Sequence, residues 1–118
     1  MALRRVILEM GMGNDLHGRD YTKAALRAVQ DALHHSSLGF TRSLGIDPAE
    51  LEVEVTIGVA RPEAVDVEAV KASLPRGQVT VAVKKGGLDV PDRTGDDVTV
   101  IASAAIEVEI ETDGRTFG

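Results

Sequence analysis

Cysteine and tryptophan are absent from this chain of 118 residues, and aromatic residues make up only 3% of it. The absence of cysteine excludes disulfide bonds, thiolate catalysis and zinc sites built from cysteine ligands. With so few aromatic rings, the sequence offers no platform on which nucleic-acid bases could stack. The hydrophobic core must therefore consist of valine, isoleucine, leucine and alanine.

Clustered positive charge and long hydrophobic runs are also missing. The net charge is −6, and no basic cluster is longer than two residues, which disfavours a nucleic-acid partner. No apolar run approaches the length of a membrane span. The first one, RRVIL, is too short for a signal peptide and is interrupted by Glu9. We expect no membrane partner and a cytoplasmic location.

The residues that are present predict one α+β domain over positions 1–118. Hydrophobic residues make up 43% of the chain, enough for one core at this length. Alternating and helical periodicities give the order βαβαββ. This order predicts a four-stranded sheet with two helices on one face. The predicted strands cover 4–10, 51–60, 78–85 and 98–111, and the predicted helices cover 20–39 and 66–75.

Capping residues support both helices. Asp20 and Asp66 are predicted N-caps, and Gly39 and Pro75 lie where the helices should end. The first helix has an apolar side, made of Ala25, Leu26, Val29, Ala32 and Leu33. The stretch 86–97 is rich in turn residues and is predicted to be a loop.

The sheet face that the helices leave uncovered has an unusual composition. The middle of this face is small and neutral: Thr56, Gly58, Ala60, Thr80, Ala82, Ile101, Ser103 and Ala105. Acidic residues stand only toward the strand ends: Glu52, Glu54, Glu107, Glu109 and Glu111. A face of this kind suits packing against another subunit around a closed symmetric axis, which predicts a homo-oligomer. The alternative is an ordinary exposed face that is poor in charge.

The segment GMGNDLHGRD, residues 11–20, is predicted to be a loop between the first strand and the first helix. Glycines allow a ligand to approach the backbone closely, and a helix N-terminus favours an anion or a carbonyl. The predicted ligand-binding residues here are Gly11, Gly13, Asn14, Asp15, His17, Gly18, Asp20 and Lys23. The alternative is a set of Asx turns with a helix cap.

Neither a cofactor nor a metal is predicted. The glycine pattern matches neither the dinucleotide fingerprint nor a P-loop. The side chains of Asp15, His17 and Asp20 are a weak metal signal. The spacing of Asp31, His34 and His35 is better explained by histidines that complement the helix dipole.

Three further residues are candidates for the site. Lys84 and Gly86 belong to a Lys-Lys-Gly-Gly stretch that suits an anion, although lysines equally guard strand edges. Ser103 is a candidate nucleophile, with Lys23 or Lys84 as its activating base. The alternative for Ser103 is a structural role on a packed strand face.

Nearly the whole chain resembles a small family of uncharacterised bacterial single-domain proteins. The most specific part is a D-x-H-G-R/Q-D-x-T segment, which here runs from Asp15 to Thr22. Further matching stretches are IGVARPEAVD, LPRG, KKGGL and VIASAAIEVEIE. This resemblance implies a family but no reaction.

Another, more remote resemblance covers about a third of the chain. One domain of the cyclic amide hydrolases that act on cyanuric acid or barbiturate is similar, with a glycine-rich stretch before a helix that begins Asn-Asp-Phe-Thr-Arg. The similar start here is 19–23, which puts Lys23 at the ligand-contacting arginine and, by a loose alignment, Ser103 at the active-site serine. The family's catalytic lysine would fall near Glu9 and Met10, where this chain has no lysine. The resemblance implies a threefold, toblerone-like assembly more firmly than hydrolysis.

Taken together, these features predict a homotrimeric module that binds a small polar, carbonyl-rich or anionic molecule without catalysis. The first alternative is a cyclic amide hydrolase in which Ser103 is the nucleophile and Lys84 its base. The other alternative is a purely structural oligomer.

Overall fold

A mixed sheet of five strands carries two α-helices on one face. The computed structural model describes residues 3–34, 52–74 and 78–111. In chain order the elements are β1 (Leu3–Asp15), α1 (Tyr21–His34), β2 (Glu52–Val59), a 3-10 turn (Pro62–Ala64), α2 (Val67–Ala72), β3 (Gln78–Lys85), β4 (Leu88–Pro91) and β5 (Val98–Glu111). Among these residues, neither helix has the length and apolar character needed to cross a membrane.

The strands are ordered β1-β5-β2-β3, and β4 pairs with the beginning of β5. Strands β2 and β3 are parallel, and the other pairs are antiparallel. The α+β class and the order of the predicted helices and strands are confirmed. Several predicted features lie outside the described residues, namely Gly39, the loop 40–50, Leu51, His35 and Pro75.

Two loop predictions were wrong in part. Strand β1 continues to Asp15, so the first half of the predicted loop 11–20 is strand. The predicted loop 86–97 contains the short strand β4, which raises the number of strands from four to five. Both errors concern segments rich in glycine or proline. These segments form strands because each pairs with β5.

The core lies between the helices and the sheet face toward them, here called the inner face. Alternate residues of β2 and β5 point into it, as their periodicity predicts: Val53, Val55, Ile57, Val59, Val100, Ala102, Ala104, Ile106 and Val108. Helix α1 contributes mostly alanine: Ala24, Ala25, Ala28, Val29 and Ala32. Val70 of α2 is fully buried in the same cluster.

Helix α1 packs unusually close to β1, because two residues of the strand are glycines without a side chain. A Cβ atom on Gly13 would lie 2.2 Å from the backbone nitrogen of Ala28, and one on Gly11 would lie 2.4 Å from that of Ala32. The obstacles are backbone atoms, which cannot turn away as side chains can. The two glycines therefore bring a strand and a helix into close contact, and their ligand-binding role stays a prediction.

Two side chains of α1 reach the edge of β1 that does not face β5. The backbone N–H of Met12 donates to Oδ2 of Asp31 over 2.9 Å. The guanidinium of Arg27 donates to the backbone oxygen of Asn14 over 2.7 Å. The helix thus holds the strand by its edge as well as by its inner face.

The opposite face of the sheet, here called the open face, is arranged in rows across the strands. The strand registers place Met12, Ser103, Gly58 and Lys84 in one row, called the lysine row. The next row, called the middle row, contains Met10, Ala105, Thr56 and Ala82. A third row, called the acidic row, contains Glu107, Glu54 and Thr80. Charge is therefore confined to the two ends of this face.

Candidate functional site

The carboxylate of Asp15 is buried where β1 ends and α1 begins, and its side chain is only 4% exposed. The backbone N–H of Asp20 donates to its Oδ2 over 3.0 Å. The amine of Lys23 lies 3.6 Å from its Oδ1, and the guanidinium of Arg27 lies 3.9 Å from the same oxygen. A buried carboxylate needs such partners. Asp15 thus joins the strand to the helix.

Asp20 caps α1 as predicted. Its Oδ1 accepts the backbone N–H of Lys23 over 3.0 Å, which satisfies one of the free donors of the first turn. Gly18 has a φ of +93° and Arg19 a φ of +51°, so the chain turns sharply before the cap. The sequence predicts that a ligand contacts this helix N-terminus. At the N–H of Lys23, however, the acceptor is the side chain of Asp20.

His17 ties this turn to the segment before β5. Its Nδ1 lies 2.5 Å from Oδ2 of Asp97. Hydrogen bonding to His17, together with the backbone N–H of Val98, holds the pKa of the Asp97 carboxyl below its ordinary value. His17 and Asp97 therefore have a contact that positions the loop relative to the sheet.

A further polar contact on the inner side was not predicted from the sequence. The hydroxyl of Tyr21 donates a hydrogen bond to Oδ2 of Asp89 on β4. Burial and then this carboxylate raise the pKa of the Tyr21 hydroxyl. The other oxygen, Oδ1 of Asp89, is buried without a hydrogen-bond partner among the described residues. The pair escaped notice because β4, which places Asp89 beside α1, was predicted to be loop.

A concavity of about 700 Å³, here called the trough, lies on the open face. Four of the predicted site residues line it: Gly11, Lys84, Gly86 and Ser103. The other predicted site residues do not line it: Gly13, Asn14, Asp15, His17, Gly18, Asp20 and Lys23. Lining residues that the sequence analysis did not select include Met10, Met12, Thr56, Gly58 and Lys85. The structure thus separates the predicted site into a self-bonded turn and an open trough.

Within the trough, Ser103 and Lys84 stand in the lysine row with Gly58 between them. Neighbouring strands lie about 4.8 Å apart, so the Cα atoms of Ser103 and Lys84 are about 10 Å apart. A Cβ atom at Gly58 would lie 2.8 Å from the hydroxyl of Ser103. The same Cβ atom would lie 3.5 Å from the backbone nitrogen of Gly87. Because Gly58 has no side chain, the Ser103 hydroxyl and the backbone of residues 86–87 can lie close above it.

The glycines after Lys85 have a packing function. The N–H of Gly86 donates to the backbone oxygen of Val59 over 2.8 Å, and a Cβ on Gly86 would lie 3.3 Å from Cα of Gly58. Gly87 has a φ of +60°, and its Cβ would meet the backbone oxygen of Ile101 at 2.2 Å. These contacts let the chain cross the end of β2 and continue as β4. The ligand-binding role of Gly86 stays a prediction.

Comparison with known proteins identifies the family. Residues 5–108 match the conserved hypothetical protein family Lin0512_fam. The chain belongs to that family. A solved structure, described as an FtsZ-like protein of unknown function from Nostoc punctiforme PCC 73102, is 44% identical to this chain and superposes with a TM-score of 0.83. The match covers 94% of this chain and 98% of that one. No curated protein matches.

In this member of Lin0512_fam, the residues of the D-x-H-G-R-D-x-T segment form hydrogen bonds to one another and to other elements of the fold. Besides the contacts of Asp15, His17 and Asp20, the hydroxyl of Thr22 accepts the backbone N–H of Asp66 over 2.8 Å. Asp66 in turn caps α2 through the N–H of Ala69. The segment that is most specific to the resemblance therefore joins β1, α1, α2 and the entry to β5.

The acidic end of the open face has its own electrostatic signature in this Lin0512_fam chain. Glu52 stands opposite Glu109, and Glu54 stands opposite Glu107. Burial and the neighbouring carboxylates, Glu54 first, raise the pKa of Glu109. Within residues 3–34, 52–74 and 78–111, no three side chains of the ligating types are grouped to hold a metal ion. The open face thus has a negative end and, at Lys84, a positive one.

Proposed function

We propose that this protein is a homotrimeric small-molecule-binding module that works without catalysis. Its ligand is polar and carbonyl-rich or anionic, and it lies in the trough. The observation that carries the proposal is the lysine row, where Ser103 and Lys84 stand on either side of Gly58 and both line the trough. An amine and a hydroxyl suit carbonyl or carboxylate oxygens, since both can donate hydrogen bonds to them.

The trimeric part of the proposal is supported by exposed apolar side chains on the open face. Met10 is 69% exposed, Met12 63% and Leu88 62%. Exposed apolar patches with a polar rim often mark interaction surfaces. An apolar sheet face is normally covered by another layer of secondary structure, which a second subunit can supply. We expect the open faces of three copies to meet around a threefold axis, so that neighbouring subunits roof each trough.

A thermal-shift screen tests the binding site. The compounds are cyclic ureides, small carboxylates and inorganic phosphate, and binding to the folded state raises the melting temperature. Lys84→Gln should abolish the rise, while Lys71→Gln, a matched change on α2, should leave it intact. A screen in which no compound raises the melting temperature would count against a ligand site in the trough.

Lys23→Ala separates the trough from the site predicted at the turn. Lys23 lies beside Asp15 and does not line the trough. If the ligand occupies the trough, the shift survives this substitution. Loss of the shift in Lys23→Ala, with the protein folded, would make Lys23 a ligand contact, as the sequence analysis predicts.

Light scattering tests the assembly. The parent chain should give three times the mass of the 12.5 kDa monomer. Ala82→Glu should dissociate it, because a charge would be desolvated in the packed interface. Gln30→Glu, on the exposed side of α1, adds the same charge and should leave the trimer unchanged. A parent that is monomeric at micromolar concentration would overturn this part of the proposal.

Cyclic amide hydrolysis is the alternative function, which the common row of Ser103 and Lys84 favours. Oγ of Ser103 would attack a ring carbonyl while Lys84 accepts its proton, and the ring C–N bond would break as that proton passes to nitrogen. Water would then hydrolyse the ester. Turnover of cyanuric acid or barbiturate that disappears in Ser103→Ala would establish it.

A third candidate is a purely structural oligomer. It is the outcome if the chain is trimeric and Ala82→Glu dissociates it, while no compound in the screen changes the melting temperature.

A further inference from the structure

We infer that the trough is built for a monocarboxylate with a short apolar body of about four to six carbons. This inference rests on the proposed function, because it specifies the class of ligand in the same trough. The charge and polarity of successive rows on the open face carry it.

The carboxylate belongs at the lysine row. Lys84 stands in this row, Lys85 follows on the same strand, and both line the trough. The acidic lining residue is Asp31, at the β1 rim, where its Oδ2 accepts the N–H of Met12. The order β1-β5-β2-β3 puts three strand spacings, about 14 Å, between this rim and Lys84. An anion is therefore attracted to the β3 side.

The apolar body belongs over the middle row. Met10, Thr56 and Ala105 line this part of the trough. Methionine side chains are unbranched and adaptable, so Met10 and Met12 can close over an alkyl chain of variable shape. Rows on one face are two residues apart, which is about 7 Å along a strand. That spacing fits a body of about four to six carbons.

The acidic row limits the ligand at the far end. Glu54 and Glu107 stand in the row beyond Thr56 and Ala105, about 13 Å along the strands from Lys84. A dicarboxylate of the same length would direct its distal negative charge toward these glutamates. Like charges in proximity repel, so the trough should prefer one carboxylate to two.

Calorimetric titration of the full-length protein tests this class. The probes are acetate, butanoate and hexanoate, with hexanamide as the neutral control and adipate as the control with two carboxylates. Affinity should rise about fourfold per added methylene, as burial of apolar surface requires. Hexanamide should bind about tenfold more weakly than hexanoate, and adipate should also bind more weakly.

Variants locate the carboxylate. Lys84→Gln should reduce hexanoate binding about tenfold, to the level of hexanamide, and leave hexanamide binding unchanged. Lys71→Gln should bind both compounds as the parent does. Lys84 is exposed, so the variant should fold, and its melting temperature without ligand checks this.

The outcomes separate this inference from the proposed function. Affinity that does not depend on chain length, or adipate that binds as tightly as hexanoate, would overturn the inference. Binding of phosphate or barbiturate through Lys84 without any binding of alkyl carboxylates would overturn it and leave the proposed function standing. If no probe binds, both fail.

Discussion

The segment 11–20 and the open face of the sheet differ in where their polar groups find partners. In the segment, Asp15, His17 and Asp20 each bond to another part of the same chain. On the open face, Ser103 and Lys84 stand on either side of Gly58 and line a trough. The segment is rich in polar residue types and uses them to join elements. The open face has a plainer sequence, yet it brings together the groups that suit a ligand.

This contrast teaches that varied polar residues in a stretch can serve to hold the fold together. A strand-to-helix turn must satisfy free backbone donors and hold a helix in place, and these tasks call for aspartate, glycine and histidine. If the proposed function is correct, the ligand contacts the trough and leaves these tasks to the segment. Substitutions in the segment should therefore change stability, and substitutions in the trough should change binding.

Gly13→Ala tests the packing side of this contrast most severely. Its Cβ would overlap the backbone of Ala28, so helix and strand would have to separate. We expect a loss of about 3 kcal/mol in the free energy of unfolding, measured by chemical denaturation. Asn14→Ala, an exposed neighbour, should change it by less than about 0.5 kcal/mol. Equal stability of the two variants would show that the glycine contact is unimportant.

Asp15→Ala tests whether the buried carboxylate is a structural joint. The change removes the acceptor for the N–H of Asp20 and leaves Lys23 and Arg27 without their buried partner. We expect a loss of about 2 kcal/mol on denaturation. Glu63→Ala, a carboxylate outside the joint, is the control and should be nearly neutral. A variant as stable as the parent that has lost ligand binding would instead make Asp15 a ligand residue.

Asp20→Ala removes the cap of α1. The N–H of Lys23 would lose its acceptor, and the expected cost is about 1 kcal/mol. Gln30→Ala, in the exposed middle of the same helix, should not destabilise the protein, because alanine is a good helix former. A melting temperature of Asp20→Ala equal to that of the parent would contradict the capping role.

The contact between His17 and Asp97 should give the smallest effect, and one that depends on pH. The pKa of Asp97 is lower in the folded protein than its ordinary value of 3.8, so the contact stabilises the fold above that value. The stabilisation is lost as pH falls through the lowered pKa. The difference in unfolding free energy between the parent and Asp97→Asn should shrink below pH 3.8. A difference that is constant down to about pH 2 would contradict it.

The sequence predicts those parts of the fold whose causes are local. The caps at Asp20 and Asp66 follow from side chains that reach an N–H three residues ahead. The alternating valines of β2 and β5 follow from the two-residue period of a strand that has one buried face. These patterns depend on neighbours in the chain, so they can be recognised from the order of residues alone.

The features that were missed depend on partners far away in sequence. Strand β4 forms because β5 extends past the end of β2, which leaves room beside residues 98–101. Gly11 and Gly13 lie in a strand because an alanine-rich helix packs on them. The local sequence at both places favours a loop, but tertiary contacts make both segments strands.

The trough was predicted only in pieces for the same reason. The sequence pairs Lys84 with Ser103 only as one of two candidate bases for a nucleophile, and the register through Gly58 is what places them in one row. Met10 and Met12 carry no sequence signal of exposure, because apolar residues near a strand are usually core. Strand register depends on contacts between strands that are distant in sequence, so it cannot be read from a local motif.

The side chains that α1 extends over the rim of β1 bear on how copies of this protein can meet. A bare strand edge is a template on which another chain can add by backbone pairing, which is the route to domain swapping and fibrils. At Met12 and Asn14 the backbone groups of this edge already have partners. The N–H of Met12 donates to Asp31, and the carbonyl of Asn14 accepts from Arg27. Growth by strand addition is therefore obstructed at this stretch, and contact through side chains on the sheet's face remains open.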